Sequence, residues 1–186
     1  SVTGKVARQQ CVGEIQLPLS DCGVVALDYT GTSGIATSLG HAPQAGLINP
    51  AAGSVLSIAE ALTNIVGSNL CEGLKTVSLS ANWMWPCRNK GEDAGLYSAV
   101  QACSDFACAL GINIPTGKDS LSMTQKYGNK KVLAPGTVII SASGEVADVR
   151  KTVSPVIQNV KSTLYYIDFS NAPLELGGSA FAQSLN

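Results

Sequence analysis

Pro50 is followed by Ala51-Ala52-Gly53-Ser54-Val55-Leu56-Ser57-Ile58-Ala59-Glu60-Ala61-Leu62-Thr63-Asn64-Ile65-Val66. At about 100° per residue, Val55, Ile58, Ala59, Leu62, Ile65 and Val66 fall on one stripe, the pattern of an amphipathic helix. Proline just ahead of it suits a helix start. Around this helix the period shortens. Residues 11–17 and 22–29 read as strands joined by Pro18-Leu19-Ser20-Asp21, and 33–39 and 45–49 as two more, broken at His41-Ala42-Pro43. Leu74 to Asn82 alternates as a strand and runs into Trp83-Met84-Trp85-Pro86.

A second helix opens on Glu92 and Asp93, acids that suit the positive end of the helix dipole. Its stripe is Leu96, Ala99, Val100, Cys103, Ala107 and Leu110, and Gly111 ends it. Residues 119–126 and 131–134 flank a hairpin-like turn at Tyr127-Gly128-Asn129-Lys130. Thr137 to Val146 reads as a long strand with Gly144 as a candidate bulge. The pattern weakens from Ala147 to Lys161, then gives a strand at Thr163–Phe169 and a short helix at Leu176–Leu185. Strands and helices interleave without strict βαβ repetition, so the predicted class is α+β.

Composition narrows the function. The 186 residues carry 12 Lys and Arg against 13 Asp and Glu, a net charge of -1. Charged residues make up 13%, about half the usual share of roughly 25%, while 45% are hydrophobic. Disorder is excluded by that balance. A basic nucleic-acid footprint is missing, since Lys130-Lys131 and Arg150-Lys151 are isolated pairs. No run approaches the ~20 apolar residues of a membrane span. So little charge also points to surface that does not meet water. The first methionine is Met84, and the expectation is a piece excised from a longer protein. Six scattered cysteines without a CxxC pair, and a single histidine, give no zinc pattern. They read as reduced, mostly buried and cytosolic.

Four places could carry chemistry. On the first helix Glu60 and Asn64 lie one turn apart, about 40° around the axis, and project together opposite the apolar stripe. A carboxylate and an amide oxygen so placed suit a hard cation such as Mg²⁺, and equally an ordinary solvated helix face. Asp21, at the mouth of a strand, could hold a metal or simply make a turn. Thr116-Gly117-Lys118-Asp119-Ser120 fails as a phosphate loop. Position 112 is Ile where the motif needs Gly, and the chain continues as a strand; a polar loop at an interface remains open. Leu176-Gly177-Gly178-Ser179 could bind an anion or cap a helix. His41 has no nucleophile or carboxylate beside it in sequence, which argues against a catalytic triad.

Longer motifs carry a resemblance. Gly34-Ile35-Ala36-Thr37-Ser38-Leu39-Gly40-His41-Ala42-Pro43, Glu60-Ala61-Leu62-Thr63-Asn64, Leu79-Ser80-Ala81-Asn82-Trp83-Met84, Gly91-Glu92-Asp93-Ala94-Gly95-Leu96-Tyr97 and Ile114-Pro115-Thr116-Gly117-Lys118-Asp119-Ser120-Leu121-Ser122-Met123 resemble the large single-chain phosphoribosylformylglycinamidine synthase family of purine biosynthesis. So do Val6-Ala7-Arg8-Gln9-Gln10 and Leu176-Gly177-Gly178-Ser179. The family is a glutamine- and ATP-dependent ligase that converts formylglycinamide ribonucleotide to its amidine.

The resemblance implies a domain like the N-terminal domain of aminoimidazole ribonucleotide synthetase, in the second synthase half. That domain has a mixed or antiparallel sheet with helices on one face; the other face pairs into a barrel with a partner domain. Residues 1–161 would be this domain and 162–186 the start of the C-terminal-type domain. By the same resemblance Asp21, Glu60 and Asn64 are Mg²⁺ ligands at an ATP/ADP site, an auxiliary ADP held structurally. Ser20 is a nucleotide contact through its backbone, since the family often has Ala there. The implied partners are the first synthase half and the glutaminase domain, neither of which is in this chain. No cysteine here should be the glutaminase nucleophile. The isolated piece is expected to be inactive, cytoplasmic and able to dimerise through its sheet. The alternative is a purely structural module that binds no ligand.

Overall fold

A computed structural model describes residues 4–170, 172, 173, 175 and 179–185. They fall into two compact units, Ser1–Val156 and Ile157–Asn186. In chain order the first holds β1 (Val6–Arg8), β2 (Cys22–Ala26), β3 (Gly34–Gly40), α1 (Pro43–Ile48), α2 (Pro50–Ile65), β4 (Cys71–Leu74), β5 (Ser78–Met84), α3 (Glu92–Leu110), β6 (Asn113–Ser120), β7 (Thr124–Tyr127), β8 (Lys130–Leu133) and β9 (Thr137–Val146). The second holds α4 (Ala180–Ser184).

Six strands form one sheet in the order β1-β2-β3-β9-β5-β6. All neighbours are antiparallel except β5 and β6, which α3 connects as a parallel pair. The mixed α+β architecture is as expected. β9, last in sequence, lies at the centre with β3 on one side and β5 on the other.

Alternation along the strands separates the two faces. In β3, Ala36 and Ser38 are buried while Ile35, Thr37 and Leu39 are exposed. In β9, Val138, Ile140, Ala142 and Val146 are buried. The buried side packs against α2 and α3 through Ile58, Leu62, Ile65, Cys103 and Ala107. Helices cover one face of the sheet and leave the other open.

α2 is rotated from the sequence expectation. Its buried residues are Gly53, Ser54, Ser57, Ile58, Ala61, Leu62 and Ile65, whereas Val66 is 56% exposed and Val55 only half-buried. Small residues face the sheet because β3 comes extremely close. A Cβ on Gly40 would lie 2.1 Å from the Ser57 carbonyl oxygen and 2.4 Å from the Ala61 nitrogen. Ser38 Oγ donates to the Ala61 carbonyl at 2.7 Å in the same contact. Backbone therefore meets backbone here, and a branched side chain on that helix face would not fit.

Other expectations need correction. Residues 45–49 are not a strand: Pro43 sits at the first turn of α1, its fixed φ preset for a helix, and Gly46 packs on Gly53 of α2. Residues 11–17 form a turn-rich loop closed by one bridge, Val12 to Leu17, because Gly13 and Gln16 both take positive φ. Thr116–Ser120 is no loop but part of β6, an edge strand ending at Ser120; β7 begins only at Thr124. Gly144 makes no bulge, since β3 and β9 keep register through it. Thr163–Phe169 forms no strand, having no partner to complete a ladder among the described residues. Of the short C-terminal helix, Ala180–Ser184 is helical among the described residues and is capped by Ser179 Oγ; Leu176-Gly177-Gly178 lie outside the described residues.

The six thiols are free, and only Cys22 and Cys103 are buried, fewer than expected. Burial pushes the Cys103 thiol up to about 11, and Cys87 is also raised, by burial first and then by Asp93, Glu92 and Asp119. The thiolate is the reactive form. Cys71 and Cys108 should therefore react with an aromatic disulfide at pH 8 well before the rest, and Cys22 and Cys103 only on unfolding. A titration followed by peptide mapping checks this; rapid labelling of Cys103 in the folded protein would contradict the packing of α3.

Candidate functional site

An open cavity of about 870 Å³ lies on the first unit. Ser20, Asp21, Glu60 and Asn64 all line it, together with Gln10 and His41. Four separate stretches of sequence supply these groups, and the sheet brings them together. Cys22 pairs with Ser38, which sets the start of β2 beside the end of β3, where α2 crosses.

The floor belongs to the helix-free face. Gly23, Thr37, Ser143 and Ser78 lie side by side across β2, β3, β9 and β5. A second row runs Leu39, Ser141, Ser80 and Thr116 across β3, β9, β5 and β6. Apart from Gly23 and Leu39, every residue in the two rows carries a hydroxyl. The sequence holds a signal for this floor, namely Ser and Thr at the non-core positions of alternating strands.

Glu60 and Asn64 work at one place. A Glu60 carboxylate oxygen, Oε2, accepts from the His41 backbone N–H at 2.6 Å, and Asn64 Nδ2 donates to the Leu39 carbonyl at 3.0 Å. Together they tie α2 to the end of β3, the point where Gly40 makes the closest approach. These bonds use one carboxylate oxygen and the amide nitrogen. Glu60 Oε1 and Asn64 Oδ1 keep no hydrogen-bond partner among the described residues. His41, without company in the sequence, thus stands on the cavity rim beside Glu60.

Ser20 is buried, at 8% exposure, and its bonding is nearly complete. Its amide donates to the Gln10 carbonyl at 3.2 Å. The hydroxyl accepts from Arg8 Nε at 2.6 Å and donates to the Cys22 carbonyl at 3.1 Å. Its own carbonyl is what remains for a ligand, so any contact there would be made by backbone. The neighbouring Asp21 is exposed, and its carboxylate has no hydrogen bond among the described residues.

Two carboxylates and one amide oxygen form a donor set that a divalent cation would complete with water or phosphate oxygens. That chemistry fits Mg²⁺, which usually takes one or two protein carboxylates. A softer, all-protein site does not fit, because among the described residues no group of three or more His, Cys, Asp or Glu could hold a metal.

Comparison with known proteins places these features in context. The FGAR-AT PurM_N-like domain family matches residues 1–145. Human phosphoribosylformylglycinamidine synthase is 43% identical over 185 residues, which is 98% of this chain and 14% of the human protein. Among solved structures, Thermotoga maritima PurLQS aligns with a TM-score of 0.60 at 16% identity, over 82% of this chain and 23% of that one. T. maritima PurL complexed with ADP aligns at 0.57 and 16% identity, over 73% of this chain and 21% of that one. At such identity these two structures bear on the fold alone. The chain spans about one-seventh of the length of its human relative.

Proposed function

Because the chain belongs to the FGAR-AT PurM_N-like domain family, we propose that it is the second-half N-terminal-type domain of a phosphoribosylformylglycinamidine synthase. Residues 1–161 form that domain, and 162–186 open the C-terminal-type domain that follows. The whole enzyme is a cytoplasmic ligase that uses glutamine and ATP to convert formylglycinamide ribonucleotide to its amidine. The part described here contributes a Mg-nucleotide site and a surface for its partner domains. One observation carries the reading: Asp21, distant in sequence from Glu60 and Asn64, lines a single cavity with them, and metal-compatible oxygens are left over.

In this role Asp21, Glu60 and Asn64 hold Mg²⁺, and the Ser20 backbone contacts the nucleotide. The metal would neutralise phosphate charge and anchor an ADP. No catalytic group need come from this chain.

A structural reading is favoured by a different observation, that Glu60 and Asn64 already fasten α2 to β3. Glu60→Gln separates the two, because the amide oxygen of Gln can still accept from the His41 N–H while the negative charge is gone. In the full-length synthase, E60Q is expected to lose bound ADP and to melt lower by what the nucleotide contributes. That amounts to about 2.7 kcal/mol for a ligand held at a hundred times its dissociation constant. The exposed Thr63→Ala is the control. If E60Q keeps nucleotide and melting temperature, Glu60 serves the fold alone.

The helix-free face supports the partner role. Val25, Ile35 and Leu39 are 43%, 42% and 56% exposed on it. Sheet-to-sheet pairing with the first synthase half would cover them and close the sheets into a barrel. Without that half, the isolated chain should self-associate through the same face. Sedimentation should give a dimer that Ile35→Glu dissociates; a monomer at high concentration would contradict the proposal.

A further inference from the structure

We propose that Arg8 is a positioning residue for Asp21 and that it acts through the Ser20 hydroxyl; the use made of Asp21 rests on the Mg-nucleotide reading above. Between Gln10 and Ser20 the chain leaves the sheet in a loop with little packing of its own. Ile15 is 77% exposed, Leu17 is 43% exposed, and Glu14 and Gln16 also face solvent. Such a loop has few contacts to fix its ends and opens easily.

Its neck supplies the missing constraint. Ser20 N donates to Gln10 O, Arg8 Nε donates to Ser20 Oγ, and Ser20 Oγ donates to Cys22 O. The last of these spans Asp21. Cys22 is fixed as the buried first residue of β2, and Arg8 stands on β1 opposite Val24. Asp21 is thus the single residue between an anchored strand and a serine bonded at both its amide and its hydroxyl.

The donor chemistry explains why an arginine suits this place. A guanidinium can only donate, so the Ser20 hydroxyl must accept from it and direct its own proton elsewhere, to the Cys22 carbonyl. Arg8 therefore sets the direction of the hydroxyl as well as its position. The bond is charge-assisted and short, of the stronger kind. Arg8 forms no ion pair: among the described residues the pair present is Arg150 with Asp148. Arg8 is half-buried, and the one hydrogen bond its side chain makes among the described residues goes to a neutral serine at the edge of the cavity. Removing the charge should accordingly loosen the neck without breaking the core.

The test is a double-mutant cycle, R8M, S20A and R8M/S20A, with R8K as the conservative variant. In the 186-residue chain, amide hydrogen exchange at Ser20 should quicken about tenfold in R8M, the scale of one hydrogen bond to a charged group. S20A should do the same at the residue-20 amide, and the double variant should add nothing further. R8K should hold the slow rate, and the amides of Ala36 and Ile140 should not change. In the full-length synthase, R8M should weaken Mg·ADP binding about tenfold while leaving the melting temperature without nucleotide unaltered. Additive effects in the cycle, or unchanged exchange at residue 20, would overturn the proposal. So would a quickened neck with undiminished Mg·ADP affinity. If the unsubstituted synthase fails to bind Mg·ADP at this site, the nucleotide reading falls, and the exchange cycle still decides whether Arg8 fixes the neck.

Discussion

Gly40→Val is expected to destabilise the protein by at least about 3 kcal/mol and to take the cavity rim apart with it. A Cβ at this position would lie 2.1 Å from the Ser57 oxygen and 2.4 Å from the Ala61 nitrogen, and both are backbone atoms of a helix. No side-chain rotation relieves such contacts; α2 as a whole has to move. Overpacking in a closed core costs about 1–3 kcal/mol for added methylenes alone. Here the shift also breaks the bonds from His41 to Glu60 and from Asn64 to Leu39, each a contribution of about 1 kcal/mol or more. Gly40→Ala should show the same effect in smaller degree. Urea unfolding of both variants measures it. An alanine variant with an unchanged midpoint would mean that α2 and β3 are farther apart than described.

The second large effect belongs to Ile140. It is fully buried in β9, opposite Gly40 on one side and Ala81 on the other, and it joins both halves of the sheet to the helices. Ile140→Ala should cost about 2–5 kcal/mol, the transfer of the lost methyl groups plus the cavity that remains. With the chain kept monomeric by Ile35→Glu, Leu39→Ala, one strand away and 56% exposed, should change the unfolding midpoint little. Equal losses at the two positions would show that the faces of the sheet have been assigned wrongly.

The three candidate metal ligands differ in how well the sequence announced them. Glu60 and Asn64 were legible as a pair because a helix fixes neighbours four residues apart whatever surrounds it. Nothing local could bring Asp21 to them. That meeting depends on β2 lying beside β3 and α2 crossing its end, and it became readable only by resemblance to a known family. The buried face of α2 departs from its apolar stripe for a related reason. The apolar stripe named Val55 and Val66, but the closest contacts are made by Ser57 and Ala61 against β3 and by Gly53 against α1, residues whose merit is small size. Hydrophobicity does not record how near a neighbouring backbone must come.

Strand errors have their own causes. At 45–49 apolar composition outweighed Pro43, although a proline is as much a helix start as a break. At Thr163–Phe169 the apolar and aromatic composition of a strand is present, yet a strand is a relation between two segments. Tyr165, Tyr166 and Phe169 stand 82–92% exposed with nothing paired to them among the described residues.

The position of β9 bears on how the chain can be made. Until Thr137–Val146 has left the ribosome, β3 and β5 have no strand between them, and the sheet exists at most as two separate pieces, β1-β2-β3 and β5-β6. Each piece would show a raw edge at the very strand that later becomes interior. β3 and β9 pair across about a hundred residues of sequence, from Gly40 with Ile140 to Gly34 with Val146, so closure is a late, long-range event during synthesis. A ribosome that stalls before Thr137 would release not a smaller version of this domain but two unfinished ribbons, each ready to pair with whatever strand comes by.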